Sequence, residues 1–250
     1  MAESALALRE HPQIIELLSV LEQNSLSKQK EEVQALVGYI DGMEEKLSQM
    51  MEELKAMRLE VEKLHDKGIR ARCAQLVGTA EGKIRQGKTM LSTARTNFVS
   101  AAGRMLGTFQ EKGRAALRHA VQALRIPSVL SRMGGGFAHA EKSMGQLAVR
   151  LDAMREELHQ AGSHIKNAGL ALAGKEPQES KELSADKGVL AKLRSFVLYC
   201  GKAFSEMDRD TALTVERING GRSSVKTELQ GLKSAQAGQR RQAASKEQAR

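Results

Sequence analysis

Residues 33–64 carry an unbroken heptad ladder, with Val33, Leu36, Ile40, Met43, Leu47, Met50, Leu54, Met57, Val61 and Leu64 filling every a and d position. The residues between are mostly Glu, Gln, Lys, Asp and Ser. Apolar side chains recurring at this period line one seam of a helix, and the seam must be covered by another helix. A second ladder runs through Phe137, Ala140, Met144, Leu147, Leu151, Met154, Leu158, Ala161, Ile165, Ala168 and Leu172. Two such ladders predict an all-α chain of long antiparallel, coiled-coil-like helices forming an elongated bundle. They pack on each other, or each on a copy from another chain. Val33, Leu36, Ile40, Leu47, Leu54, Val61, Phe137, Met144, Leu151, Leu158 and Ile165 are the expected helix-association seam.

Composition agrees with thin seams rather than a thick core. The chain has no Trp, two Tyr and five Phe, so its apolar volume comes from Leu, Ala, Val, Ile and eleven Met. Three Pro let helices run long, and no stretch alternates β-branched with polar residues between turn signals. Cys73 and Cys200 both fall on apolar seams, where a free thiol acts as a small hydrophobe. That usage suits a reducing cytoplasm. Residues 1–9 lack a basic start followed by an apolar run, and no stretch has the length and apolarity of a membrane span.

The spacing divides the chain into five stretches. Residues 1–27 are a short lead-in and helix, with Pro12 in the first turn. Residues 28–133 hold an acidic coiled-coil helix, capped by Ser27 and stopped at Gly68, followed by a basic helix rich in small residues. In the basic helix, Gly78 and Gly82, then Gly103 and Gly107, are spaced to let a neighbour approach closely. The basic stretch runs either as one helix of about 55 residues, roughly 80 Å long, or with a break near Gly87 or Gly113; Pro127 ends the seam, and Met133-Gly-Gly-Gly136 is the expected hinge. Residues 134–174 form the second coiled-coil helix, with Ala161, Gly162, Ala168 and Gly169 as a tight-contact face. Residues 175–234 are a linker and C-terminal helices pausing at Gly220-Gly221, and 235–250 read as a disordered basic tail.

Charge is segregated along the chain. Residues 1–68 hold 8 Lys/Arg against 14 Asp/Glu, and residues 69–133 hold 12 against 2. The plain expectation is that the acidic helix lies beside the basic one and neutralises it. Otherwise Arg95, Arg104, Arg114, Arg118, Arg125 and Arg132 are candidate anion-binding residues, and nucleic acid is the alternative partner. Phe98 and Phe109 both lie on the apolar seam, which leaves no stacking platform for bases. An amphipathic lipid-surface role is the further alternative, weakened by an apolar face built largely of Ala and Gly.

One stretch matches a catalytic pattern: Gly82-Lys-Ile-Arg-Gln-Gly87-Lys88-Thr89 fits the phosphate-cradling G-x-x-x-x-G-K-[ST]. Such a loop follows a buried strand, and here Ile84 and Leu91 keep the helical seam running through it. The six His include no i, i+4 pair, so no metal site is expected. The reading is therefore a non-enzymatic scaffold or interaction protein. No catalytic residue, cofactor or small-molecule substrate is expected, and the partner is another protein or a second copy.

Residues 158–176, Leu-His-Gln-Ala-Gly-Ser-His-Ile-Lys-Asn-Ala-Gly-Leu-Ala-Leu-Ala-Gly-Lys-Glu, resemble an uncharacterised helical family, a domain of unknown function, from conjugative mobile elements of gut Firmicutes. The Leu17-Leu18 helix, Asn24-Ser-Leu26 and Val37-Gly-Tyr-Ile-Asp-Gly-Met-Glu44 carry the same resemblance, which spans roughly residues 10–176. It implies an all-helical fold and an accessory role on a bacterial mobile element, and it brings no functional residues.

Overall fold

In the computed structural model, which describes residues 6–178 and 188–247 with side chains described as far as Gly220, no strand occurs among the described residues. A 3₁₀ turn at Leu8–Glu10 precedes five α-helices: α1 (Pro12–Gln23), α2 (Ser27–Glu62), α3 (Lys67–Ala123), α4 (Ile126–Leu172) and α5 (Val189–Glu247). Each of α2 to α5 packs chiefly on two neighbours, in the cyclic order α2, α3, α4, α5, while α1 lies on α2 and α3. Contacts such as Gly134 with Thr211 and Gly201 with Met144 run in opposite senses along α4 and α5, so those helices are antiparallel. The result is an up-down-up-down bundle. The 47 residues of α4 make it about 70 Å long.

The ladders meet inside this bundle. Val33, Leu36, Ile40, Leu47, Leu54 and Val61 of α2 are buried with Phe137, Met144 and Leu151 of α4, and Cys73, Val77, Ile84, Leu91 and Phe98 complete the core from α3. Each fully buried Leu, Ile or Phe contributes roughly 1.5–3 kcal/mol by leaving water. The central layer shows how size is matched. Phe137 stacks on Phe204 with ring centroids 6.1 Å apart. A β-carbon on Gly87 would stand 3.3 Å from Leu47 Cδ1 and 3.5 Å from Phe137, so the glycine supplies room for both.

One buried polar node fixes the register of α2 against α5. Tyr39 bonds the Thr211 hydroxyl, and Thr211 Oγ1 donates to the Met207 carbonyl at 2.8 Å. Burial pushes the Tyr39 hydroxyl above its ordinary range, so it stays a neutral partner. Asp41 anchors the lead-in, accepting from the Leu8 N–H at 2.6 Å and the Arg9 N–H at 3.2 Å.

Several helix limits differ from the sequence expectation. Ser27 is the first residue of α2 and makes no side-chain cap. Gly68 lies in the first turn of α3; the cap is Asp66, whose Oδ1 accepts from the Ile69 N–H at 2.8 Å. The expected hinge at 133–136 is uninterrupted α4, and the boundary at 133/134 falls inside it. There a β-carbon on Gly134 would meet Asp208 at 2.8 Å and Thr211 Cγ2 at 3.0 Å, and one on Gly136 would meet Met90 Sδ at 2.8 Å. Those two glycines admit neighbouring helices rather than bend their own. The actual corner is at Arg125, left-handed at φ 47°, with Pro127 in the first turn of α4. Of the alternatives for the basic stretch, one unbroken helix or a break near Gly87 or Gly113, the break at Gly113 is the one realised, at φ 73° and ψ −165°. The chain then doubles back, because Leu124 lines the same space as Ala94 and Phe98. Of the four glycines expected to seat a close neighbour, only Gly103 meets one, the Gln13 amide at 3.1 Å. The pause expected at Gly220-Gly221 is absent, since α5 runs through it; of the tail expected at 235–250, the backbone is described as far as Glu247 and belongs to α5.

Candidate functional site

The bundle uses most of the expected association seam on itself. The exception begins at Leu158, which is half-buried, and continues at Ile165 and Leu172, which are 75% and 91% exposed. The reason is a length mismatch. Asp152 of α4 pairs with Arg194 at 2.5 Å, and Glu157 lies 4.0 Å from Arg72, close to the starts of α5 and α3. Beyond Leu158, α4 continues for 14 residues, about 21 Å, past the starts of α3 and α5 among the described residues. Ala161, Gly162, Ala168 and Gly169 flank Ile165 on this arm within about 60° of rotation at 3.6 residues per turn. The tight helix contact expected of them is absent: Gly162 and Gly169 have nothing within reach of a β-carbon.

The chain leaves the arm through Gly174, left-handed at φ 68°. The Lys175 N–H then donates to the Leu170 carbonyl at 2.9 Å, and the Gln178 N–H to Asn167 Oδ1 at 3.0 Å. Asn167 is two residues from Ile165, roughly 200° around the helix. Residues 173–178 therefore turn back on the face opposite Ile165 and Leu172. Lys166 is the one charged residue between His159 and Leu172.

The six arginines have different fates. Arg95 is structural: it pairs with Glu44 at 2.9 Å, bonds the Leu6 carbonyl and is largely buried. Arg114 donates to the Ser25 carbonyl at 3.5 Å. Arg104, Arg118, Arg125 and Arg132 are exposed and pair with no carboxylate among the described residues. Arg104 lies on α3 before Gly113 and Arg118 after it, Arg125 is the corner between α3 and α4, and Arg132 is in the second turn of α4. Two pairs join α2 to α3 among the described residues. One is Arg95 with Glu44; the other, Arg58 with Glu81, places the cation on the acidic helix. Further ion pairs tie α5 to its neighbours: Lys46–Asp210 at 2.9 Å, Lys192–Glu60 at 2.8 Å and Arg194–Asp152.

The stretch matching the phosphate loop is the middle of α3, so its backbone amides serve the helix and not a ligand. The apolar face of the basic segment, including Val77, Ile84, Leu91 and Met105, is committed to the core and is not displayed to a lipid surface. Among the described residues no group of three His, Cys, Asp or Glu is placed to hold a metal ion, and no helix is long and apolar enough to cross a membrane. Both thiols are free and buried. Burial raises Cys73 and pushes Cys200 up to about 12.

A comparison with known protein families matches residues 10–250 to one described as a Family of unknown function (DUF6674). The match includes the α5 region, which the expected resemblance over 10–176 left out. No curated protein and no solved structure matches the chain.

Proposed function

We propose that this chain, which belongs to the family of unknown function DUF6674, is a non-enzymatic helical interaction protein whose docking element is the free arm of α4. The first partner is a second copy of the same arm. The observation that carries this reading is the change along one heptad ladder, from buried at Phe137, Met144 and Leu151 to 75% exposed at Ile165. An exposed row of apolar side chains at coiled-coil spacing gains free energy by meeting another helix. With Lys166 its single charge, the arm meets a copy of itself with little like-charge repulsion. An accessory role on a bacterial mobile element is the setting suggested by the resemblance at residues 158–176, and the two free cysteines suit a cytoplasmic location.

Multi-angle light scattering after size exclusion tests the reading. The expected species is a dimer of twice the 27.3 kDa chain mass at both low and high salt. Ile165→Glu with Leu172→Glu should return it to monomer without lowering the melting temperature, since both side chains are exposed. A monomeric wild type, or a dimer that survives both substitutions, overturns the proposal.

The exposed arginines support a second reading, binding of nucleic-acid phosphates. Each exposed Arg that neutralises a phosphate steepens the salt dependence of binding by about one unit of log–log slope. Replacing Arg104, Arg118 and Arg125 by Gln should then flatten the slope for a short duplex by about three, and an unchanged slope removes this reading.

A further inference from the structure

Where α3 hands over to α4, the bundle encloses a half-open cavity of about 350 Å³ between α2, α3 and the first turns of α4. Its floor is apolar: Leu36, Ile40, Phe98, Ile126 and Met133 all line it and are all buried. Ala94 adds only a methyl group to the wall, which leaves the space unfilled. The rim is different in kind. Thr93 and Asn97 stand one turn apart on α3, and Arg132 stands on α4. All three are exposed, and none makes a side-chain hydrogen bond or ion pair to another described residue. Arg132 is the single charged residue in the lining, with no carboxylate to compete for it.

We propose that this cavity binds a small organic acid with an apolar body, a single-chain carboxylate whose tail lies on the Phe98–Met133 floor and whose head meets Arg132 and Asn97. The volume falls within the range of small-ligand sites, roughly 300–1,000 Å³, and so does the plan of an apolar bed with a few convergent polar groups. Burial of the tail supplies attraction without direction. The guanidinium supplies direction, because its donors match a carboxylate in geometry and charge. Residues 101–133 hold six Lys/Arg against Glu111 alone, so the surrounding field draws an anion to the mouth. A neutral molecule of the same length keeps the floor contacts and loses the rim.

Decanoate is the probe, and the methionine methyl groups report its position by carbon-13 NMR. Met90 and Met133 line the cavity, whereas Met50 and Met144 are buried elsewhere in the core. Saturable shifts are expected at Met90 and Met133 alone. Decanol should bind at least tenfold more weakly, and Arg132→Gln should bring decanoate down to the decanol level without affecting decanol. Ala94→Leu fills the space and should abolish both; Arg132→Gln, at an exposed position, keeps the test valid if that variant does not fold. Phosphatidylglycerol vesicles present negative charge on two-chain lipids and should leave the methyl groups unshifted. Equal affinity for decanoate and decanol, shifts spread over all four methionines, decanoate binding indifferent to Arg132→Gln, or shifts with vesicles and not with decanoate would each overturn the proposal.

Discussion

Gly134 and Gly135 are neighbours in one helix and differ in what a methyl group would meet. At Gly134 it would press on Thr211, which cannot yield because its hydroxyl is held by Tyr39 and by the Met207 carbonyl. At Gly135 it would enter open space. Gly135→Ala should therefore stabilise the fold by about 0.5–1 kcal/mol through helix propensity. Gly134→Ala should destabilise it by about 1–3 kcal/mol through overpacking. Urea denaturation measures both. Equal effects would mean that α5 does not lie against α4 as closely as described. Without the partner helix, nothing in the Gly134-Gly-Gly136 tripeptide distinguishes a flexible joint from a packing notch.

At the scale of the element, two features set how the helices are arranged. Gly113 holds a backbone conformation essentially reserved for glycine, and it reverses α3. Gly113→Ala should lower stability by about 1–3 kcal/mol and raise amide exchange over residues 114–123, with little change in the first arm of α3. Uniform exchange along α3 would refute the reversal. At the other end, Glu60 of α2 takes Lys192 of α5 and Lys63, the residue that follows α2. The hydrogen bond from Lys192, then that from Lys63, hold its carboxyl at about 2 against an ordinary 4.5. The folded state thus binds this proton less readily than the unfolded state. Its contribution to stability is complete above pH 4.5 and is lost as pH falls toward 2. In Glu60→Gln, the urea midpoint should fall less steeply across that window than in the wild type. Identical slopes would show that the pair is absent in solution.

For the whole molecule, the sequence by itself determined the helices and the side of each helix that is apolar, because heptad spacing is a local property of the chain. The ladder from Val33, and the one from Phe137 as far as Met154, sit in the core as their period requires. Length, charge and glycine were less informative, since their meaning depends on what stands opposite. The ladder through Ile165 has the same period as the part through Met144, and only the ends of α3 and α5 leave the later part uncovered. The summed charges of residues 1–68 and 69–133 invite mutual neutralisation, yet the ion pairs join particular side chains that face each other and, among the described residues, leave Arg104, Arg118 and Arg132 unmatched. The cavity beside Arg132 was invisible for the same reason, as its lining comes from three helices that the sequence does not place together. Only the tertiary structure decided which seam is closed, which is free and where a space remains, because apolar burial rewards any cover and three-dimensional register selects one.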